Sequence, residues 1–313
     1  LPAGSAGAIV AIADYNRTFN TNNLTVSPNG SEKIGGNPAS ATLDVNGQAL
    51  TLVYVDSTQG WINVQNAEDT EQGEAFVSAT GGTITECGDC KIHTFTGPGT
   101  FTVQTVNSCA SNNVVSYMVV AGGGGGGGND GGGGGAGGFR EDKSPVTPYT
   151  ASPRDGAGAV TVSAQAYPVT VGGGGAAGAA TTQGTDGNSS TVFSKTSAGG
   201  GGGGSETAGN AGRTGGSGGG ASTGGGTPGS GGSGNNPSTS PPQGNSGGNG
   251  PGLGPGISPP ARGGGGGGGI LGAGANGTGP GVGGSGGDHI NTSINGSDVG
   301  GAGPGSRSAY VLF

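Results

Sequence analysis

The chain has 313 residues, 84 of them glycine, and a formal net charge of −8 at pH 7. Only 9% of its residues are charged and 4% are aromatic, whereas ordinary soluble domains contain about 25% charged residues and about 7% glycine. The absence of any run of about 18 apolar residues excludes a membrane-spanning helix. Glycine in unbroken runs, instead of at every third position, excludes collagen. The negative charge argues against nucleic acid or an anionic membrane surface as a partner.

Glycine is distributed unevenly along the chain. Residues 1–120 hold 13 glycines, and residues 121–313 hold the other 71. The composition predicts a small all-β module at residues 1–65, a polar connector at 66–80 and a β framework at 81–121. A glycine-rich domain at 122–305 follows, and a return strand at 306–313 is expected to rejoin the framework. Because the chain opens on Leu1-Pro2 without a secretory signal, we expect this start to be the interior of a longer protein.

The first 65 residues contain short runs rich in β-branched residues, each bounded by turn residues. The runs lie at 8–13, 23–26, 41–45, 49–55 and 61–64. Asn46-Gly47 predicts a tight reversal between the third and fourth runs, since both residues tolerate positive φ. Helical periodicity is absent, so this part is predicted to be all-β.

A second group of strands is predicted before the glycine-rich part. Residues 91–96 and 100–106 flank Gly97-Pro98-Gly99, which indicates a hairpin of moderate strength. Residues 114–120 form the most continuous apolar run of the chain and predict a buried central strand.

Long glycine runs are usually flexible linkers, because glycine loses the most backbone freedom on ordering. The alternative is polyglycine II, an extended helix with about three residues per turn and no internal hydrogen bonds. Its N–H and C=O groups point outward, so neighbouring rods can pack hexagonally and bond through their backbones. Runs of similar length favour the bundle over the linker, and they lie at 122–128, 131–135, 172–175, 199–204, 218–220 and 263–269.

The segments between the glycine runs carry most of the bulky and charged side chains of this half. Such loops on a rigid scaffold are the usual place for recognition. Rods joined by loops would place these side chains at the two ends of a brick. The candidate recognition residues are Tyr149, Arg154, Lys195, Arg213, Arg262 and His289.

Seven segments of the chain carry a recognisable pattern. In the framework and glycine-rich part they are residues 91–103 (KIHTFTGPGTFTV), 115–122 (VSYMVVAG), 135–141 (GAGGFRE), 167–175 (YPVTVGGGG) and 188–193 (NSSTVF), and in the first module they are 10–15 (VAIADY) and 53–61 (VYVDSTQGW). Together these segments resemble the glycine-rich domain and upstream modules of bacteriophage tail fibres.

This resemblance implies a virion protein that attaches to a bacterial host through loops displayed on a polyglycine-II scaffold. It implies a homotrimer that contacts other virion tail proteins and a bacterial surface receptor, either a glycan or an outer-membrane protein. It further implies a tail-fibre location, extracellular when the protein acts. No nucleic acid, membrane insertion or cofactor is expected.

The three cysteines allow several interpretations. Cys87, Cys90 and Cys109 together with His93 could supply three thiolates and an imidazole to zinc. The spacing lacks a second C-x-x-C pair, so a cross-strand disulfide with a spare thiol, or three free thiols, remain open. We predict no metal. His93 lies in a predicted strand, which favours packing over catalysis.

Acidic residues and glycine runs also occur in enzymes, but here neither forms a catalytic pattern. A glycosidase needs two carboxylates about 5–9.5 Å apart, but Glu68, Asp69, Glu71 and Glu74 cluster in the polar connector, where solvation explains them. Without a Gly-Lys-Ser/Thr ending, the glycine runs are not phosphate-binding loops. We therefore predict no enzyme. The alternative is a purely structural fibre or an ice-binding glycine bundle, and a disordered cell-wall protein is a third possibility.

Overall fold

The computed structural model forms two compact units, Leu1–Glu74 and Ala75–Phe313. It describes residues 1–67, 77–87, 90–107, 110–156, 158–206, 211–224, 227–251, 263–279, 281–294 and 308–312. These residues form β-strands, extended segments and one 3-10 turn at Ala110–Asn112, with no α-helix among them. The predicted all-β class is therefore confirmed. Among the described residues, no helix has the length and apolar character needed to cross a bilayer.

The first unit is built on two small antiparallel sheets. β1 (Ile9–Ala13), β4 (Ala49–Asp56) and β5 (Gly60–Ala67) form one sheet, and β2 (Leu24–Val26) pairs with β3 (Ala41–Leu43). Their core holds Val26, Leu43, Leu50, Leu52 and Trp61.

The tight reversal predicted at Asn46-Gly47 does not join two paired strands. Gly47 has a positive φ of 73°, as a turn requires, but β3 pairs with β2 while β4 pairs with β1 and β5. The Asp14 carboxylate accepts the N–H of Gly47 at 3.1 Å and that of Phe19 at 2.9 Å. The turn thus directs the chain from one sheet into the other.

The second unit begins with two sheets that face each other. Their strands are β6 (Ser78–Thr80), β7 (Thr83–Cys87), β8 (Cys90–Phe95), β9 (Gly99–Thr105), β10 (Val114–Val120), β11 (Phe139–Asp142), β12 (Val160–Thr161), β13 (Ala166–Val169) and β18 (Ser308–Leu312). The larger sheet has the order β11-β10-β18-β8-β7, with β12 also paired to β10, and the smaller sheet has the order β13-β9-β6.

Both faces of β10 are covered, which explains its uninterrupted apolar sequence. Val115, Tyr117 and Val119 pack towards the smaller sheet, against Phe101 and Val103 among others. Met118 and Val120 face the other side, in a cluster with Ile92, Ala136, Phe139, Ile270, Ile290 and Ile294. The predicted buried central strand is confirmed. Its neighbour β18 lies within the run for which the sequence predicts a return strand.

The hairpin predicted across Gly97-Pro98-Gly99 is wrong. β8 pairs with β7 and β18, whereas β9 pairs with β6 and β13. The two strands therefore belong to different sheets and meet through their side chains. His93 of β8 stands edge-on to Phe101 of β9, with ring centroids 5.0 Å apart. Burying these aromatic rings between two sheets explains why the chain crosses over at Gly97-Pro98-Gly99 instead of pairing with itself.

The described glycine-rich residues form twelve short extended segments, here called rods, that bond to one another through main-chain groups. Two short hairpins accompany them, β14 (Ser190–Val192) with β15 (Lys195–Ser197), and β16 (Thr223–Gly224) with β17 (Thr227–Pro228). Rods 1 to 12 are residues 121–128, 131–138, 172–179, 182–188, 198–204, 211–214, 216–222, 229–234, 244–251, 263–270, 272–278 and 282–288.

Hydrogen bonds between rods repeat every third residue. In rod 1, Gly124 and Gly127 donate to rod 2, at Gly135 and Gly132, whereas Gly125 and Gly128 donate to rod 4, at Thr185 and Thr182. Rod 5 in turn donates to rod 1, from Gly200 and Gly203. No residue within these rods has a positive φ. A three-residue period without internal bonds is the geometry of polyglycine II.

Main-chain contact explains why glycine is required inside the bundle. A Cβ added at Gly203 would lie 2.0 Å from the carbonyl oxygen of Gly132, and one at Gly200 would lie 2.1 Å from that of Gly135. Both obstacles are backbone atoms, which cannot swing aside. The glycines at these positions thus set the distance between rods.

Candidate functional site

Successive rods run in opposite directions, so the connecting segments collect at two ends. Rod 1 leaves the larger sheet from β10, and rod 2 returns to it at β11. Parallel bonds from Gly200 to Gly122 and from Gly203 to Gly125 give rod 5 the direction of rod 1. Odd-numbered rods therefore run away from the sheets and even-numbered rods run back. We call the end beside the sheets the sheet end and the opposite end the far end, about 22 Å away for a seven-residue rod.

The far end carries six chain reversals, and their described side chains are mostly small and polar. Asn129 and Asp130 join rods 1 and 2, are both exposed, and have positive φ values of 35° and 44°. Two consecutive non-glycine residues in the left-handed φ region store backbone strain, and such strain is found most often at functional sites. The other described residues exposed in or beside these reversals include Ala180, Thr181, Thr182, Thr227, Pro228, Thr278 and Val282.

Four of the six candidate residues lie at the sheet end, namely Tyr149, Arg154, Lys195 and His289, and two of them, Tyr149 and Arg154, serve the packing there. Tyr149 is half-buried against the cluster that contains Ile270 and Ile290, and Lys143 Nζ lies 5.7 Å from its ring centroid. Burial, and then the nearby Glu141 carboxylate, raise the pKa of the Tyr149 phenol. Arg154 donates from Nη2 to the carbonyl of Ile270 at 3.0 Å. His289 is exposed, next to buried Ile290.

Sequence analysis missed the buried carboxylate that anchors these segments. Glu141 is 2% exposed. Its carboxylate accepts the N–H of Ser152 at 2.9 Å and the hydroxyl of Thr292 at 2.6 Å. It thereby ties the segment around Arg154 to the segment after rod 12. Three of the four residues of that strand, Phe139–Asp142, are charged, so its pattern carried no signal that Glu141 would be buried.

Lys195 lies in a hairpin beside an aromatic groove. Phe193 and Ser194 form the turn between β14 and β15 with positive φ values of 50° and 59°. The ring of Phe193 packs edge-on against Tyr167 and Phe101, at centroid distances of 5.0 and 5.8 Å. These contacts offset the strain of a bulky residue in this conformation. A groove of about 560 Å³ lies beside them and is lined by Tyr167, Phe193 and several Ser and Thr side chains.

Arg213 lies on the flank of the bundle, midway between the ends. Its Nε and Nη2 donate to the two carboxylate oxygens of Asp186 at 2.7 and 2.8 Å. Asp186 also accepts the N–H of Gly202 at 2.9 Å. Arg213 therefore joins rod 6 to rods 4 and 5. Arg262, the remaining candidate, lies outside the described residues, so the structure does not bring the six candidates together.

The cysteine and histidine cluster is only partly described. The backbone register pairs Cys87, the last residue of β7, with Cys90, the first residue of β8, and Cys109 lies outside the described residues. The His93 ring is fully buried, with Nδ1 2.7 Å from the carbonyl oxygen of Gly81. Burial lowers its pKa, an effect that Lys91 reinforces and that the bond to Gly81 opposes. Within the described part of the chain, no group of three His, Cys, Asp or Glu side chains could hold a metal ion.

The carboxylates considered for glycosidase chemistry, Glu68, Asp69, Glu71 and Glu74, also lie outside the described residues. What the described part offers is recognition chemistry: rigid rods that present small polar turns at one end and polar, aromatic and cationic segments at the other.

Comparison with known proteins places this architecture in a family. A search among curated proteins found no match to the chain. The family model for the glycine-rich domain matches residues 94–311, which include β9, β10, all twelve rods and nearly all of β18. The match covers more than half of the chain, and the chain therefore belongs to the glycine-rich domain family.

Proposed function

We propose that the protein is a bacteriophage tail-fibre adhesin that attaches the virion to a bacterial surface through the far-end turns of its glycine bundle. The observation that carries this proposal is the alternation of rod direction, which gathers six reversals at the end opposite the sheets. Recognition residues are commonly held on loops that a rigid scaffold positions. The motifs shared with tail fibres at residues 91–103 and 167–175 support the same assignment.

The far end suits contact with a polar surface. Asn129, Asp130, Thr181 and Thr182 offer amide, carboxylate and hydroxyl groups without long side chains that must be immobilised. Short side chains lose little conformational entropy on binding. A glycan or the polar loops of an outer-membrane protein would match these groups, and the proposal includes either one as the receptor. Assembly as a homotrimer on other tail proteins is part of the same proposal.

Binding of the purified chain to cells from a panel of bacterial strains tests the proposal. In the test variant, Asn129→Gly and Asp130→Gly are combined with Thr181→Ala and Thr182→Ala. Glycine accepts positive φ, so the turn keeps its shape while its side chains are removed. A matched control combines Lys195→Ala with His289→Ala at the sheet end.

We expect the wild type and the sheet-end control to bind a subset of the strains. The far-end variant should bind the same strains at least tenfold more weakly. If the far-end variant binds as well as the wild type and the sheet-end control loses binding, the receptor-binding site lies at the sheet end. Binding to none of the strains, together with a positive thermal-hysteresis assay, would favour the ice-binding alternative.

A further inference from the structure

One lattice position in the bundle holds no rod among the described residues, and main-chain groups line it. Rod 10 bonds to five rods, numbers 2, 7, 9, 11 and 12, whereas a rod inside a hexagonal array has six neighbours. The sixth position lies between rods 2 and 12 and forms a groove of about 430 Å³. Its lining is residues 131, 133, 134, 136, 264–269, 283, 284, 286 and 287.

The main-chain groups that face this groove follow from the three-residue period. In rod 10, the N–H groups of 265 and 268 bond to rod 7, and those of 266 and 269 bond to rod 11. The remaining row is Gly264 and Gly267, whose N–H groups have no hydrogen bond to any described residue. By the same period, the carbonyls of Gly131 and Gly134 in rod 2 and of Gly284 and Gly287 in rod 12 complete the lining, and they accept no main-chain hydrogen bond from the described part of the chain.

Elsewhere the bundle satisfies such open-side donors with its own side chains. The N–H of Gly202 in rod 5 bonds to the Asp186 carboxylate, and the N–H of Gly231 in rod 8 bonds to Asn249 Oδ1 at 2.8 Å. No described side chain does this for Gly264 or Gly267. Main-chain N–H groups that are shielded from water require a partner.

Glycine also occurs in the groove where the bundle itself does not need it. A Cβ added at Gly283 or Gly286 would lie no closer than 3.6 Å or 3.8 Å to another atom, which is ordinary contact. Inside the bundle the corresponding distance is about 2 Å, as at Gly203. A side chain could therefore be accommodated at both groove positions in the isolated fold, and its absence leaves room for a close approach.

We propose that this groove binds an extended Gly-Gly-X segment of another polypeptide chain, which takes the empty position as a further rod. Its N–H groups donate to the carbonyls of rods 2 and 12, and its carbonyls accept from Gly264 and Gly267. Rod 12, at the edge of the bundle, shows the sequence that suits such a place. Its exposed Val282, Ser285 and Asp288 are separated by pairs of glycine.

The recognition is of backbone shape and hydrogen-bonding period, so it does not depend on the proposed attachment to bacteria. The lining spans residues 131–136 of rod 2 and 264–269 of rod 10. At about 3.1 Å per residue, a peptide of six to nine residues would cover it. In each group of three peptide residues, the two that face the groove must be glycine, and the third faces solvent.

Fluorescence anisotropy with a dye-labelled (Gly-Gly-Ser)3 peptide tests this proposal on the full chain. The control peptide, (Gly-Ala-Ser)3, has the same length but carries a Cβ that prevents close approach. Gly286→Leu places a side chain at the groove, where its Cβ would lie 3.8 Å from the nearest atom of the fold. Gly174→Leu is its matched control, since a Cβ there lies 3.5 Å from the nearest atom and rod 3 does not line the groove.

We expect saturable binding of (Gly-Gly-Ser)3 to the wild type and to Gly174→Leu, with affinities within twofold of each other. Gly286→Leu should weaken binding at least tenfold, and the alanine peptide should bind at least tenfold more weakly than the glycine peptide. Peptide binding should also slow hydrogen exchange at Gly264 and Gly267. Lack of saturable binding at millimolar peptide, or equal binding by Gly286→Leu, would overturn the proposal.

Discussion

The two parts of the second unit are held together by different groups. In the facing sheets, large side chains such as Phe101 and Tyr117 are fully buried in one apolar cluster. In the glycine bundle, the buried groups are largely main-chain amides, most of which pair with another rod at about 2.7 to 3.1 Å. The sheets gain stability from apolar burial. The bundle depends on hydrogen bonds and on close packing of backbone atoms.

This difference determines where each part is sensitive to substitution. A side-chain core has a few critical residues, and neighbouring side chains can partly adjust to a change. A main-chain core has no adjustable atoms, so the addition of one methyl group at an interior glycine pushes two backbones apart. Sensitivity should therefore follow the bundle's interior positions, whatever the chemistry of the substituent.

Removal of the return strand should have the largest effect, because it takes a strand out of the middle of the larger sheet, from which the first rod of the bundle leaves. β18 lies between β10 and β8 and pairs with both. A chain ending at residue 307 would lose both ladders, and we expect Ala75–Phe313 to lose its resistance to limited proteolysis. Trp61, the single tryptophan, lies in the core of the first unit and reports independently on that unit. Full protease resistance in the truncated chain would contradict this role of β18.

An alanine placed inside the bundle should cost about 3 kcal/mol of unfolding free energy, at the upper end for an overpacked site. We choose Gly203→Ala, where the added Cβ lies 2.0 Å from the Gly132 oxygen and 2.7 Å from the Gly127 nitrogen. The matched control is Gly174→Ala, which meets the Gly123 oxygen at 3.5 Å. It should change stability by less than about 0.5 kcal/mol.

Chemical denaturation of both variants measures the difference. Equal stability of the two would mean that rod spacing is not fixed by main-chain contact, and would remove the distinction between the two cores.

His93 should make the facing sheets sensitive to mild acid. Burial holds the pKa of its imidazole below the ordinary value of 6.5, so the folded state binds a proton less readily than the unfolded chain. Stability is then complete above pH 6.5 and declines as the pH falls towards the lowered folded-state pKa. The slope is at most about 1.4 kcal/mol per pH unit.

Unfolding between pH 7 and 5.5 tests this, because most carboxylates stay ionised over that range. His93→Phe should flatten the profile, whereas His289→Ala, at an exposed position, should leave it unchanged. A wild-type profile that is already flat would contradict the assignment to His93.

Sequence alone predicted the elements that depend on local pattern. The all-β class and the buried run at Val114–Val120 followed from residue types and turns. The glycine runs indicated rods, because their side-chain-free backbones can approach closely. Each of these features can be suggested from the pattern of residues that are close together in the sequence.

Features that depend on distant partners could not be predicted. Gly97-Pro98-Gly99 suggested a hairpin, but the strands on either side are drawn into different sheets by aromatic contacts such as His93 with Phe101. Arg213 was expected to serve recognition, yet its partner Asp186 lies 27 residues away and is brought to it only by the packing of rods. The direction of each rod, and hence the identity of the far end, also required the hydrogen-bond register.

The ion pair of Asp186 with Arg213 provides the smallest predicted effect and the finest test of how the flank of the bundle is held. Partial burial raises the pKa of the Asp186 carboxyl, but the bonds from Arg213 and from Gly202 outweigh it and lower the pKa below 3.8. The stabilisation is therefore present above pH 3.8 and is lost as the pH falls through the lowered value.

Because the pair is substantially exposed, solvent screens it, and Arg213→Ala should cost about 1 kcal/mol or less. Asp186→Ala should cost more, since it also leaves the Gly202 N–H without its acceptor. A double-mutant cycle separates the two contributions, and equal losses in both single variants would show that the Gly202 bond adds nothing to the packing of rods 4 and 5.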